Sequence, residues 1–134
     1  MKVAFATQHA LAVDAHFGWC PRLVIYEVSL AEACLAATHD FPPAAEDGDE
    51  DKLAPRLAAL DGASLLYASA IGQSAAGRVR SLGIQVAKVE EGAPIQALLE
   101  KLRQVMAGSP PPWLRKAMAG IGPRPFVPEE EASP

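Results

Sequence analysis

The chain has 134 residues, half of them hydrophobic but only 6% aromatic, and a formal net charge of −4. That length suits one domain with a core of Ala, Leu and Val, because a chain of this size buries about two-thirds of its unfolded surface. The negative charge excludes general binding to DNA or RNA, which needs phosphate-neutralising Lys and Arg. Two cysteines exclude a disulfide framework. No apolar run reaches the roughly 20 residues of a membrane span, and "MKVAFATQHALAV" has no signal-peptide pattern. The expected compartment is therefore the reducing cytoplasm, with free thiols.

In chain order, "KVAFAT" (2–7) reads as a buried strand. "RLVIYEV" (22–28) and "EACLAATHDF" (32–41), joined by a short link, read as a hairpin. The acidic, Pro-rich "PPAAEDGDED" must be a solvated loop. It leads to a helix over about 49–60, with Leu53, Leu57 and Leu60 on one face and Pro55 an awkward member. "SLLYAS" (64–69) is a continuous apolar run and so a central strand. The turn "AIGQSAAG" opens a helix ending near Leu82, with Gly83 as its stop. "IQVAKV" (84–89) is the last strand. The clearest helix is 93–108, with Pro94 near its first turn, an apolar stripe of Ile95, Leu98, Leu99, Leu102 and Met106, and Gly108 at its end.

This succession predicts an α/β fold, a mixed sheet with helices on its faces. Residues 1–108 form the expected α/β domain, and 109–134 a Pro-rich tail with a short helix near "PWLRKAMAG" and a disordered acidic end.

Several stretches carry possible chemistry. "IGQSAAG" (71–77) resembles a nucleophile elbow, but such triads run Ser, acid, His, and His9, His16 and His39 all precede Ser74. The plain reading is a tight strand-to-helix turn, and the functional one is that its amides and the helix N-terminus face an anion. Zinc needs three or four ligands, and no CxxC or HExxH spacing occurs. Cys34 and His39 fall an odd number of residues apart on one strand, so they are expected on opposite faces. The segment "VDAHFGWCPR" (13–22) stands out by clustering. It offers the imidazole of His16 and the thiol of Cys20, both ligands suited to iron or an iron–sulfur cluster. Arg22 offers charge to offset an anionic cluster, and Gly18 lets backbone approach a bulky guest. Two ligands are too few to build a cluster but enough to hold one that arrives assembled.

The blocks "KVAFAT", "VDAHFGWCPRLVIYEVS", "LLYASAIGQSAAGRVRSLGIQVAKVEEGAPI" and "PPPWLRKAM", spanning roughly residues 2 to 119, resemble the nitrogenase iron–molybdenum cofactor-binding family of NifX/NafY type. The last block is most like the NifX branch. The resemblance implies a ribonuclease H-like fold, a mixed five-stranded sheet flanked by helices, without nuclease activity. It implies a non-enzymatic carrier or store for the iron–molybdenum cofactor or its iron–sulfur precursor. Partners would be the nitrogenase cofactor-assembly proteins and apo-nitrogenase, with neither nucleic acid nor membrane involved. By motif position His16 would be the metal ligand and Cys20 a second; the turn from Gly72 to Ala76 belongs to the family's block, and Arg22, Gly72 and Ser74 are the further expected cofactor-binding residues. "IGQSAAG" departs from the family's more Gly/Pro-like turn at Gln73 and Ser74. A protein-interaction or regulatory module of nitrogen fixation, without direct cluster binding, is the alternative.

Overall fold

A computed structural model describes residues 1–41 and 53–119 of the protein. In chain order the strands are β1 (Lys2–Thr7), β2 (Ala12–Val13), β3 (Arg22–Val28), β4 (Ala33–Asp40), β5 (Ala63–Ala68), β6 (Gln85–Lys88) and β7 (Ala93–Pro94). The helices are α1 (Leu53–Ala59), α2 (Gln73–Ser81), α3 (Ile95–Ala107) and α4 (Pro112–Met118), with a 3-10 turn at Phe17–Trp19. Five strands make one sheet in the order β4-β3-β1-β5-β6. The β4, β3 and β1 strands pair antiparallel, while β1, β5 and β6 pair parallel. The expected mixed five-stranded α/β fold is thus the observed one, and a ribonuclease H-like arrangement is compatible with it.

The strands at the middle are apolar on both sides because both sides are covered. Alternation in β1 sends Val3 and Phe5 to one face and Ala4 and Ala6 to the other. On the alanine face, Leu60 just after α1 and Ala75 and Val79 of α2 join a core with Leu23, Ile25 and Leu66. On the other face, Phe5 stacks on Tyr67 with ring centroids 5.1 Å apart and meets Tyr26 edge-on at 5.6 Å. There α3 delivers Ile95, Leu99, Leu102 and Met106, the stripe anticipated from its i, i+4, i+7 spacing. Leu114 of α4 is buried in the same cluster, so the "PPPWLRKAM" segment packs on the domain.

Four local features differ from the sequence reading or add to it. Ala36 is an extra residue in β4, since Ile25 faces Ala37 while the next residue, Tyr26, faces Leu35. That bulge reverses parity. Cys34 pairs with Glu27 and His39 with Leu23, two positions of equal parity on β3, so both lie on the α1/α2 face rather than on opposite faces. Pro94 is the N-cap of α3, not a member of its first turn, and with Ala93 it pairs to Ala12–Val13 as a second, two-stranded sheet. The described part of α1 starts at Leu53. The acidic loop from Pro42, the expected start of that helix at 49–52 and the tail from Gly120 lie outside the described residues. Gly83 has φ +84° where it follows α2, as a helix stop requires.

Candidate functional site

Where β1 and β5 lie side by side and parallel, the chain leaves them in opposite directions. After β1 it turns back to β3, and after β5 it proceeds through α2 to β6. Open α/β sheets place ligands at such a divergence, outside the carboxyl ends of the strands. Two segments meet there, the 8–21 loop after β1 and the 69–72 turn after β5. Their backbones are stitched together. The Phe17 N–H donates to the Ala70 carbonyl at 2.9 Å, the Ser69 N–H to the Ala15 carbonyl at 3.2 Å, and His16 and Ala70 form a parallel bridge.

The loop wraps the end of the sheet from one face to the other. Ala10 and Val13 pack on the α3/α4 side, whereas Ala15, Phe17 and Cys20 pack on the α1/α2 side. Its first bend is held by the buried Thr7, whose Oγ1 accepts from the Ala10 N–H at 3.0 Å. Ala10 takes φ +69° there, a conformation that strains a residue with a Cβ. Gln8 clasps Asp14 twice, through its N–H to Oδ1 at 2.8 Å and its Nε2 to the carbonyl at 2.9 Å. Arg22 donates to the Gln8 carbonyl and is paired with Asp40. The residue anticipated as a counter-charge for a cluster is therefore engaged in shaping this loop.

His16 is half-exposed on the backbone bridge itself. Its Nδ1 accepts the Gly18 N–H at 3.0 Å, which makes the side chain the N-cap of the 3-10 turn. Cys20 closes that turn and is fully buried among the residues of the α1/α2 core. Burial pushes its thiol above the ordinary value, against the lowering effect of the neighbouring Arg56 guanidinium. The structure thus does not bring the two expected ligands to one surface. Both Nε and Nη2 of Arg56 donate to the Cys20 carbonyl, at 3.1 and 2.7 Å. The guanidinium also stacks over Phe41, 4.6 Å from the ring centroid.

Arg56 is a residue that the sequence reading passed over. It is only 5% exposed. The signal was present in the spacing, because Leu53, Arg56, Leu57 and Leu60 follow the i, i+3, i+4, i+7 pattern of one helix stripe. An arginine on such a stripe needs a buried acceptor, and the Cys20 carbonyl is one.

Gly72 is the N-cap of α2, with ordinary extended angles (φ −70°, ψ 157°) and no side-chain cap. The first intrahelical bond runs from the Ala76 N–H to the Gly72 carbonyl at 2.8 Å. The amides of Gln73, Ser74 and Ala75 thus have no acceptor within the helix, and they carry the positive end of its dipole. Gln73 and Ser74 are exposed. A Cβ on Gly72 would meet nothing within 4 Å, so this turn is open towards solvent. His9 is exposed in the first bend, and His39 is half-buried on β4. Among the described residues no three His, Cys, Asp or Glu side chains converge on a metal position. A hollow of about 290 Å³ lies between β5–β6 and α3–α4, lined by Leu65, Tyr67, Ala87, Leu102, Val105 and Trp113, and contains none of the expected site residues. No helix among the described residues is long and apolar enough to cross a membrane.

What this arrangement suits is an anion that carries its own metal: one imidazole can contribute a bond, and the α2 amides can face its negative charge.

Comparison with known proteins gives a consistent result. The family model described as dinitrogenase iron-molybdenum cofactor matches residues 1–105. Protein NifX of Herbaspirillum seropedicae is 48% identical over 119 residues, covering 88% of this chain and 82% of that one. Protein NifX of Azotobacter vinelandii is 39% identical over 118 residues, covering 88% and 75%. Protein NifY of the same organism is 35% identical over 118 residues, which span 48% of its length. The crystal structure of PH0822 superposes with a TM-score of 0.57 at 21% identity, covering 78% of this chain and 91% of that one, a likeness of fold.

Proposed function

The chain belongs to the dinitrogenase iron-molybdenum cofactor family, and on that premise we propose that it is a non-enzymatic cytoplasmic carrier of the iron–molybdenum cofactor or its iron–sulfur precursor. One observation carries the reading. His16 is half-exposed at the carboxyl end of the parallel strands, on a segment bridged to the turn that opens α2. In this reading an imidazole nitrogen of His16 bonds a metal of the cluster, and the amides after Gly72, including that of Ser74, face its sulfur and carboxylate charge. A single protein bond and a few weaker contacts protect the cargo yet let it go, as handing it between assembly proteins and apo-nitrogenase demands.

Arg22 and Cys20 act through the loop. Arg22 ties Gln8 to Asp40, and Cys20 anchors the end of the 3-10 turn in the core. A thiolate bond from Cys20 would require that residue to leave the α1/α2 core, so the reading rests on His16.

Anaerobic mixing of the protein with isolated iron–molybdenum cofactor, followed by gel filtration and iron assay, tests the proposal. Iron should comigrate with the wild-type chain and fall to background with His16→Ala, while Cys20→Ala retains it. Equal retention by wild type and His16→Ala overturns the assignment of His16. Absence of iron from the wild-type fraction favours the interaction module instead.

A further inference from the structure

The lone pair that would make His16 a ligand is already in use. The Gly18 amide is a donor only, so the Nδ1 that accepts it at 3.0 Å carries no proton. In the neutral imidazole the proton then sits on Nε2. Resting on the reading that His16 bonds the cluster, we propose that this hydrogen bond is a latch which cargo must break, so that loading uncaps the Phe17–Trp19 turn.

Both routes to a neutral-imidazole bond lead there. A metal at Nδ1 takes the one available lone pair and displaces the Gly18 N–H; the proton stays on Nε2. A metal at Nε2 requires the ring proton to move from Nε2 to Nδ1 through solvent, and Nδ1–H then opposes the Gly18 N–H, donor against donor. Neither route gains or loses a proton overall. An imidazolate alone would keep both bonds, and it would leave the latch closed.

The turn is held at both ends, by buried Phe17 and buried Cys20, so that its middle is the part that can yield. Phe17 is fully buried and its N–H is held by the Ala70 carbonyl, which fixes the inner end. Gly18 lies against the ring: a Cβ there would sit 3.4 Å from His16 Cε1. Trp19 follows with 61% of its surface exposed, and its N–H donates to the His16 carbonyl at 3.0 Å. Release of the Gly18 N–H therefore falls on Gly18 and Trp19, between the two anchored ends.

Amide hydrogen exchange, read at single-residue level by mass spectrometry, tests the latch on the full chain with and without isolated iron–molybdenum cofactor. The Gly18 amide should exchange at least tenfold faster in the loaded protein, with the Phe17 amide unchanged, and His16→Ala should show the fast Gly18 rate with or without cofactor. If the wild type binds iron, His16→Ala does not, and Gly18 stays protected on loading, the latch is wrong while His16 remains the ligand. If His16→Ala binds iron as the wild type does, the ligand assignment fails and the latch fails with it.

Discussion

The two faces of the sheet are built from different material, and the difference separates structure from handling of a ligand. The α3/α4 face is packed around the aromatic rings of Phe5, Tyr67 and Tyr26, with long apolar side chains from a regular helix and an apolar hollow beside Tyr67. The α1/α2 face is lined by alanines, holds a buried guanidinium and a buried thiol, and receives the inner half of the 8–21 loop. A face that needs only to be stable can be filled with large hydrophobes. A face that must hold a loop at one angle needs polar tethers as well, and Arg56 is the tether.

The sharpest way to break this distinction is a pair of large-to-small substitutions. Phe5→Ala and Phe17→Ala each delete a fully buried ring, and each should lower the unfolding free energy by about 3–5 kcal/mol in a denaturant titration. The folded fraction of Phe5→Ala should still retain cofactor iron, and that of Phe17→Ala should not. Loss of iron from both would mean that the faces are not independent.

Arg56→Met comes next. The substitution keeps most of the apolar stem but leaves the Cys20 carbonyl without the Nε and Nη2 donors. An unsatisfied buried acceptor costs about 1–3 kcal/mol, and cofactor retention should fall with it because the 3-10 turn loses its anchor. Unchanged retention would show that the backbone bridge to Ala70 and the Gln8, Asp14 and Arg22 bonds hold the loop without Arg56.

A smaller, pH-dependent effect follows from Cys20. Its folded thiol is raised above 9.0 by burial, so the unfolded thiol ionises first as the solution becomes alkaline. The contribution to stability is complete below pH 9.0 and is lost as pH rises through the folded value. Cys20→Ala should flatten that part of the stability profile, read from thermal midpoints between neutral and alkaline buffers. In the same protein a thiol reagent at neutral pH should label Cys34 in the native state and both cysteines in denaturant, because Cys34 is exposed and Cys20 is not.

Much of the sheet could be read from the chain because its signals are local. Continuous apolar runs marked β1 and β5, the β-branched pair with a short link marked the β3–β4 hairpin, and the stripe of α3 fixed its buried side. The features that escaped depend on partners distant in sequence. The bulge at Ala36 exists only against β3, so counting residues from Cys34 to His39 gave the wrong parity. The β2–β7 ladder joins two-residue segments far apart in sequence, too short to have a period of their own. The sequence offers His16 as the ligand and Cys20, four residues on, as a second. Both follow the crossing to the α1/α2 face, but His16 stands half-exposed between buried Ala15 and Phe17 while Cys20 closes the 3-10 turn inside the core, which a spacing alone does not reveal.

The crossing itself supplies the smallest and most discriminating test. Ala10 sits at φ +69° on the side of the loop that packs against the α3/α4 face, before the chain passes over to His16. Left-handed backbone costs an L-residue about 1–2 kcal/mol, part of which a glycine recovers and part of which it loses again in unfolded-state entropy. Ala10→Gly should therefore raise stability by less than about 1 kcal/mol, seen as a small upward shift in the thermal midpoint. If the strain is only the geometric consequence of the Thr7 hydrogen bond, cofactor retention will not change. If it sets the angle at which the loop presents His16, the more stable variant will hold its cargo less well, and the α3/α4 face will prove to act on the site through this one bend.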